Sequence, residues 1–234
     1  MNKSAINARL LSAAELTRQD ATFADIGTDH AYLPLFLLES GRIKSAVCSD
    51  INEGPLASAK KNAEERGMMD KMSFILTDGA TVLSGLGVTD YAICGMGGEL
   101  IADIIERAPQ LKDSSINLIL QPMSRQSVLR KYLAQAGFEI KVESYSYDAG
   151  KYYVCFLATY TGKPYEMDEV SAELGTPGAE YRNDTAREGY VKTLLAARLR
   201  ASEGKRLGGV TEIPETQVIS AAEELLKNLS QTRK

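Results

Sequence analysis

The chain has 234 residues, of which 44% are apolar and 25% are charged, the balance of an ordinary globular protein. This length accommodates one large domain with an appendage or two small domains. Its net charge of −4 excludes a uniformly basic nucleic-acid-binding protein, so any contact with nucleic acid would require a local basic patch.

The three cysteines, Cys48, Cys94 and Cys155, are far apart and form no Cys-x-x-Cys pair. We therefore expect neither a disulfide framework nor a metal site, and we expect the protein to work in a reducing cytoplasm. No stretch approaches the roughly 18 apolar residues of a membrane span, and the N-terminus has no signal-peptide core, so we expect no membrane association.

The first two thirds of the chain predict alternating strands and helices. An amphipathic helix at residues 3–18 precedes a first strand at 21–26. Further strands are predicted at 45–49, 72–76, 91–94 and 116–120, and further helices at 33–38, 55–66, from residue 98 and at 124–136. Two β-rich runs at 138–147 and 151–160 flank Asp148-Ala149-Gly150, which indicates a hairpin.

Five strand–helix units followed by an antiparallel hairpin are the layout of a class I methyltransferase sheet, whereas a simple dinucleotide-binding dehydrogenase sheet would continue in parallel. We therefore predict an α/β fold in which residues 1–162 form a Rossmann-like domain that binds S-adenosylmethionine.

The composition shifts near residue 162, where the aromatic strands stop. Apolar stripes at 190–199 and 218–229 predict two helices, with Gly204, Gly208 and Gly209 in the turn and Pro214 at the start of the second helix. We therefore predict a second domain over residues 163–234, an antiparallel, coiled-coil-like helical pair.

The segment FADIGTDHAYLP, residues 23–34, predicts a strand, a tight turn and the start of a helix, where α/β sheets bind nucleotide-like ligands. Asp25, Gly27 and Thr28 are the cofactor-binding candidates, because Gly27 lets the backbone approach a ligand closely. The G-x-G-x-x-G pattern of NAD sites is absent. Asp29 would repel a diphosphate but suits a sulfonium cation, so S-adenosylmethionine fits better than NAD.

Carboxylates also follow the second and third predicted strands. Asp50, followed by Ile51, lies where an acidic residue accepts hydrogen bonds from ribose hydroxyls; the alternative is a helix N-cap. Asp78-Gly79 could accept an adenine amino group while the backbone approaches the ring; the alternative is an ordinary turn.

The glycine-rich run after the fourth strand is a candidate for both ligands. We assign Gly95 and Met96 to the cofactor and Gly97 and Gly98 to the target base, which a glycine backbone can approach closely; helix packing is the alternative. After the fifth strand, the Gln121-Pro122 pair could face the substrate or form a plain turn.

With the motifs ADIGTDHAYLP, SDINEGPL, TDGATVL, AICGMGGEL and LQPMSRQSVLRKYL, the chain resembles the bacterial tRNA (adenine-22-N1)-methyltransferase family over most of its length. The resemblance implies S-adenosylmethionine as donor, methylation of adenine N1 in the tRNA D-arm, and a C-terminal domain that helps to hold tRNA. Relative to the wider methyltransferase superfamily, Asp29 and Ala31 stand where later glycines are usual, and no Asn/Asp-Pro-Pro motif follows strand four.

Adenine N1 has a free lone pair, so the protein's tasks are alignment and stabilisation of the positive charge that develops on the ring. Asp29 is the candidate for this charge, and we group the only histidine, His30, with it as catalytic, although a lone histidine is usually structural. Basic tail residues are candidates for phosphate contacts, or alternatively a solvated helix face: Arg187, Lys192, Arg198, Arg200, Lys205 and Arg206.

Two other functions remain open from the sequence. A class I methyltransferase could act on DNA, protein or a small molecule, and a non-catalytic RNA-binding module could retain the same fold.

Overall fold

A computed structural model describes residues 6–207 and 216–231. Its strands are β1 (Ala21–Ile26), β2 (Ile43–Asp50), β3 (Met72–Leu76), β4 (Asp90–Gly97), β5 (Asn117–Ser124), β6 (Phe138–Asp148), β7 (Lys151–Tyr160) and β8 (Glu180–Arg182). Its helices are α1 (Ala8–Leu16), α2 (Tyr32–Glu39), α3 (Glu53–Glu65), α4 (Gly98–Glu106), α5 (Gln126–Gln135), α6 (Glu169–Leu174), α7 (Asp184–Leu207) and α8 (Thr216–Gln231). Short 3-10 turns cover Met69–Lys71, Thr81–Leu83 and Pro109–Leu111.

The strands form one eight-stranded sheet in the order β3-β2-β1-β4-β5-β7-β6-β8. Strands β1 to β5 pair in parallel, and β7 is antiparallel to both β5 and β6, as the layout of the sequence predicts. The strand order reverses between the neighbours β1 and β4. In such sheets the ligand crevice lies at this switch point, beyond the carboxyl ends of the strands.

The predicted hairpin is confirmed, with a two-residue turn between β6 and β7. Ala149 has φ 45° and Gly150 has φ 82°, and Asp148 pairs with Lys151. Two positive φ angles are the signature of the type I′ turn, whose twist matches that of the flanking strands.

The sheet separates two apolar layers. One contains α1, α2 and α3, and includes Ala13, Leu35 and Ala59; the other contains α4 to α8, and includes Ile101 and Leu129. Cys48 and Cys155 are buried and Cys94 is half-buried, all as free thiols. Within the described ranges, no helix has the length and apolarity needed to cross a bilayer, and no cluster of acidic, His and Cys side chains could hold a metal ion.

The C-terminal part of the chain contributes more to the sheet than the sequence predicted. Helix α6 and the edge strand β8, which pairs with β6, were not predicted. Helices α7 and α8 pack together as expected, but Gly204 lies inside α7 rather than in the turn. Residues 3–5 of the predicted first helix, and Gly208, Gly209 and Pro214, lie outside the described residues. The division at residue 162 stays a prediction.

A fully buried ion pair joins this C-terminal segment to the sheet. The Arg130 guanidinium on α5 donates from Nε and Nη2 to the Glu143 carboxylate on β6 at 2.9 and 2.8 Å. Glu143 also accepts from the Tyr145 hydroxyl at 2.7 Å and the Thr176 backbone N–H at 2.9 Å, while Arg130 Nη1 donates to the Ala172 carbonyl at 2.7 Å. Burial alone would raise the pKa of Glu143, but Arg130 and these hydrogen bonds hold that pKa at about 2.

Removing one partner of this pair should destabilise the fold strongly. We expect Arg130→Met to lower the free energy of unfolding by about 3–5 kcal/mol, because it leaves the Glu143 charge buried without a counter-ion. The double variant Arg130→Met/Glu143→Gln removes that charge but keeps an acceptor for Tyr145, so it should recover most of the loss in urea unfolding. Lys131→Met, which removes only an exposed pair with Glu169, is the control and should cost less than about 1 kcal/mol. A single variant as stable as the control would contradict this account.

Candidate active site

A cavity of about 210 Å³ lies at the switch point between β1 and β4. It brings together three predicted residues, Asp25, Gly27 and Asp29. The remaining lining residues were not predicted as site residues: Asn7, Arg9, Leu10, Tyr32, Leu33 and Cys94. The contribution of α1 could not be recognised in the sequence, since one arginine in an amphipathic helix carries no signal of the cavity it faces.

The turn between β1 and α2 follows the backbone that the sequence predicted. Gly27 has φ 74°, and the N–H groups of Gly27 and Thr28 both donate to the Ser49 carbonyl at 2.8 Å. A Cβ on Gly27 would lie 2.0 Å from Met96 Cε, so glycine satisfies both the backbone angle and the space beside Met96. Ala31, in place of the usual glycine, adopts a left-handed φ of 54°.

Asp25 is the buried acid of the site, with 7% of its surface exposed. Burial raises the pKa of Asp25 to about 6; the hydrogen bond from the Thr28 hydroxyl opposes this shift, the neighbouring Asp50 adds to it, and Arg9 opposes it. A carboxylate buried at such a cost in a cavity is typical of a functional site, and here it provides negative charge for a cationic ligand.

Asp50 and Ile51 end β2 beside this turn. Asp50 Oδ1 accepts from the Asn52 backbone N–H at 2.8 Å, which engages one of its two carboxylate oxygens. The N-cap of α3 is Asn52, so Asp50 does not hold the capping position that was the alternative. Ile51 is 63% exposed, an unusual position for a large apolar side chain. Together they offer an acceptor and an apolar surface at the end of the strand.

Asp78, after β3, forms an ion pair with Arg107, whose Nη1 lies 2.7 Å from Asp78 Oδ2. This hydrogen bond lowers the pKa of Asp78. Both side chains are exposed, so the pair contributes little free energy and Asp78 can exchange its partner for a ligand amino group. Gly79 has φ 80°, and a Cβ at this position would lie 3.6 Å from Ile104, an ordinary contact distance.

The glycines of the run from Gly95 to Gly98 lie in different surroundings. Strand β4 extends through it, with Met96 opposite Pro122 and Gly97 opposite Ser124, so the predicted end of the strand at Cys94 was too early. A Cβ on Gly98 would lie 2.3 Å from the Arg125 carbonyl, which supports the packing alternative for Gly98. Gly95 is exposed and has φ 86°.

Gln121 connects this run to α1. Its side chain is fully buried, and its Oε1 accepts from the Gly95 N–H at 3.2 Å and from Arg9 Nη1 at 2.5 Å. Its Nε2 donates to the Pro122 carbonyl at 3.0 Å. Gln121 therefore positions Gly95 and Arg9, and the structure places its amide against them rather than on an open surface.

Asp29 and His30 lie at the mouth of the cavity, where Asp29 is 73% exposed at its side chain and His30 is 42% exposed. His30 Nε2 is 3.3 Å from Asp29 Oδ1, and the imidazole stacks on Tyr32 with ring centroids 5.3 Å apart. Asp29 lines the cavity, and His30 contacts it through Asp29 and Tyr32.

The predicted basic residues of the tail do not form one patch. Arg187 lies 3.4 Å over the Tyr181 ring, and Lys192 and Arg198 pair with Glu188 and Glu173. The other three are exposed on α7: Arg200, Lys205 and Arg206. The sequence could not show which basic side chains have partners within the protein.

Comparisons with known proteins agree with this geometry. Residues 6–156 match the family model described as a methyltransferase domain. The tRNA (adenine(22)-N(1))-methyltransferase of Bacillus subtilis (strain 168) is 31% identical over 175 residues, which are 75% of this chain and 74% of that protein.

Solved structures match nearly the whole chain. A candidate tRNA (m1A22) methyltransferase of Streptococcus pneumoniae, solved in complex with S-adenosyl-L-methionine, is 31% identical with a TM-score of 0.79, covering 95% of this chain and 100% of its own. The B. subtilis m1A22 tRNA methyltransferase is similar in fold, at 24% identity and a TM-score of 0.75, covering 97% of this chain and 98% of its own. The chain belongs to the bacterial tRNA (adenine-22-N1)-methyltransferase family.

Proposed function

We propose that the protein transfers the methyl group of S-adenosylmethionine to N1 of adenine 22 in tRNA. The observation that carries this proposal is the acid-lined cavity at the β1–β4 switch point, in a chain 31% identical to a relative named for this activity. The three cysteines are free thiols, as in proteins of a reducing compartment. This is consistent with a tRNA-modifying enzyme of the cytoplasm.

The residues present fit the donor. Gly27 allows the tight turn with Met96 packed beside it, and the buried Ser49 Oγ beside this turn has no hydrogen-bond partner within the described residues. When bound, S-adenosylmethionine supplies an electrophilic methyl group on a sulfonium. The Asp25 carboxylate provides the negative charge that this cation requires, and the Arg9 guanidinium can pair with the carboxylate at its methionine end.

The strand ends hold the nucleoside part of the donor. Asp50 accepts hydrogen bonds from the ribose hydroxyls, and Ile51 covers one face of the adenine. Asp78 accepts the adenine amino group on release from Arg107, while the open backbones of Gly79, Gly95 and Met96 allow close approach.

The acceptor base enters from the Asp29 side of the cavity. Because N1 of adenine needs no prior deprotonation, the protein must turn the base out of the folded tRNA and align N1 with the methyl group. Gly97 provides the surface for the base, while the buried Gly98, Gln121 and Pro122 hold that surface in position. Asp29 stabilises the positive charge that develops on the ring, and His30 orients Asp29.

The helical tail, residues 163–234, contacts the tRNA backbone. The exposed side chains of Lys192, Arg200 and Arg206 are the best placed of the predicted basic set, and Lys205 lies on the same stretch. Arg187 and Arg198 are engaged within the protein. They do not contact RNA directly but help to hold α7 in place.

The test of the proposed function is methyl transfer from labelled S-adenosylmethionine to an unmodified tRNA transcript, with nucleoside analysis of the product. We expect 1-methyladenosine, and we expect none when adenine 22 is replaced by guanosine. Donor binding without transfer to tRNA would move the search to DNA, protein or small-molecule acceptors. Absence of donor binding would favour a non-catalytic RNA-binding module.

Replacing the buried Asp25 should change the free energy of unfolding and the affinity for the donor in opposite directions. Since burial raises the pKa of Asp25 to about 6, above its value in the unfolded chain, ionisation of Asp25 lowers stability as the pH rises through 6. We expect Asp25→Asn to raise the free energy of unfolding at pH 7.5 by about 1–3 kcal/mol, a gain that shrinks toward pH 4. The same variant should bind S-adenosylmethionine at least about tenfold more weakly.

Urea unfolding and calorimetry of donor binding measure the two effects. The wild-type donor affinity should fall by about tenfold per pH unit below pH 6, and this dependence should be absent in Asp25→Asn. Asp70→Asn, a change at an exposed aspartate far along the chain, is the matched control and should alter neither quantity. Unchanged stability together with unchanged donor affinity in Asp25→Asn would exclude this role.

Asp29→Asn tests the stabilisation of the methylated base. We expect kcat to fall roughly 10- to 100-fold while the donor dissociation constant stays within about threefold, since this charge acts on the acceptor. His30→Gln should have a smaller effect, because His30 contacts the site through Asp29 and Tyr32. Near-normal turnover by Asp29→Asn with intact donor binding would count against the assignment.

A further inference from the structure

A second, larger cavity lies outside the site described above, on the other side of α1. Its volume is about 450 Å³, within the range of small-ligand cavities. One wall is the α1 face formed by Ala8, Leu11, Ser12 and Glu15, at the i, i+3, i+4, i+7 spacing of one helical surface. We call it the α1–α7 cleft, because the first turn of α7 forms the opposite wall.

The floor of the α1–α7 cleft is an open edge of the sheet. The edge strand β8 ends at Arg182, which is in register with Ser144 of β6. Beyond Ser144, β6 continues to Asp148 without a strand on its outer side within the described residues. Ser144, Tyr145 and Ser146 are buried there, so the accessible part of this edge begins at Tyr147.

The cleft opens at the same edge of the sheet as the active site. Strands β5 and β6 run in the same direction, because both are antiparallel to β7. The active-site cavity lies at β1 and β4, which are four and three strand spacings from β6, or about 19 and 14 Å. A polynucleotide whose target base occupies the active site can therefore reach the cleft with another nucleotide of the same strand.

An aromatic pair forms the upper part of the cleft. Tyr147 and Tyr152 are opposite each other across the hairpin, with ring centroids 4.7 Å apart. Tyr152 packs against Gly189 of α7, where a Cβ would lie 2.2 Å from its ring. Tyr147, by contrast, is 55% exposed. An exposed ring held in place by a second ring is a preformed surface for stacking a nucleobase.

The charges of the cleft are divided between its two walls. Arg182 lies on the α7 side, half exposed, in a surface pair with Glu180 that contributes little free energy. The exposed Glu15 lies on the α1 side. A guanidinium suits a phosphate, and a carboxylate accepts the amino or imino N–H groups of a base but repels a phosphate.

We propose that the α1–α7 cleft binds one nucleotide of the RNA substrate in the neighbourhood of the methylated adenine, with its base on Tyr147 and its phosphate at Arg182. This inference rests on the proposed function and names a second substrate contact for it. A peptide strand is the competing occupant, but the free edge from Tyr145 to Asp148 is shorter than a typical strand of about 5–6 residues.

The test is the affinity of the full-length protein for a tRNA transcript, measured by fluorescence anisotropy at fixed salt. We expect Tyr147→Ala to raise the tRNA dissociation constant by about 5- to 50-fold through loss of stacking. Tyr165→Ala changes a comparably exposed tyrosine near the C-terminal end of α5, at the opposite edge of the sheet, and should stay within about twofold of wild type. Donor affinity should be equal in all three proteins.

The salt dependence of tRNA affinity distinguishes the phosphate contact of Arg182 from the base stacking on Tyr147. Arg182→Gln should reduce the slope of log affinity against log salt concentration by about 0.7–0.9, as expected for one lost phosphate contact. Tyr147→Ala should weaken binding without changing that slope. The stacking and phosphate roles are thus measured independently.

Wild-type affinity and slope in both variants would overturn the proposal, as would absence of tRNA binding by the wild-type protein. If the wild type makes 1-methyladenosine but the variants bind tRNA normally, the cleft assignment fails and the methyltransferase assignment stands. If Tyr147→Ala weakens RNA binding but no methylation of adenine 22 occurs, the cleft stands and the acceptor assignment fails.

Discussion

The ion pair between Arg130 and Glu143 is the constraint on which the C-terminal half of the molecule depends. The Glu143 carboxylate accepts hydrogen bonds from Arg130, Tyr145 and the Thr176 backbone, and so joins α5, β6 and the segment between α6 and β8. A buried pair of this kind adds little net stability relative to apolar packing, but it penalises every arrangement that separates its partners. It therefore holds the end of α6 and the segment that leads to β8 against α5 and β6.

The parts of the fold that could be predicted are those with a local cause. Parallel strands appear as short apolar runs, so both the buried β1 and the edge strand β3 were predicted with their observed bounds. The turn of the hairpin follows from Ala149-Gly150 alone. Strand β8 could not be predicted, because three residues carry no periodicity and their pairing depends on Glu143 and Arg130, which are distant in the chain. Strand β4 extends past Cys94 because its glycines pair with β5.

The residues of the candidate site also fall into two groups, those that a local pattern predicts and those that depend on distant residues. Asp25, Gly27 and Asp29 could be found because they lie at the end of one central parallel strand and in the turn after it, where such sheets bind ligands. Arg9 could not, since its position depends on the packing of α1 across the sheet and on a buried glutamine more than a hundred residues away. For the basic residues of α7, by contrast, the sequence suggested more than the structure shows. Their number suggested one RNA-binding surface, whereas pairing with Glu173 and Glu188 and stacking on Tyr181 distribute them over several faces.

Helix α1 lies between the two cavities and faces each with a different side. Arg9 lines the active-site cavity, while Glu15 lines the α1–α7 cleft. The helix is held near its start by the bond from Arg9 to Gln121, and just after its end by Arg18, which donates to the fully buried Asp90 of β4 at 2.9 Å. Because both anchors lie on the central strands β4 and β5, a shift of α1 would change the two cavities together. The element whose role the sequence revealed least therefore contributes a wall to both cavities.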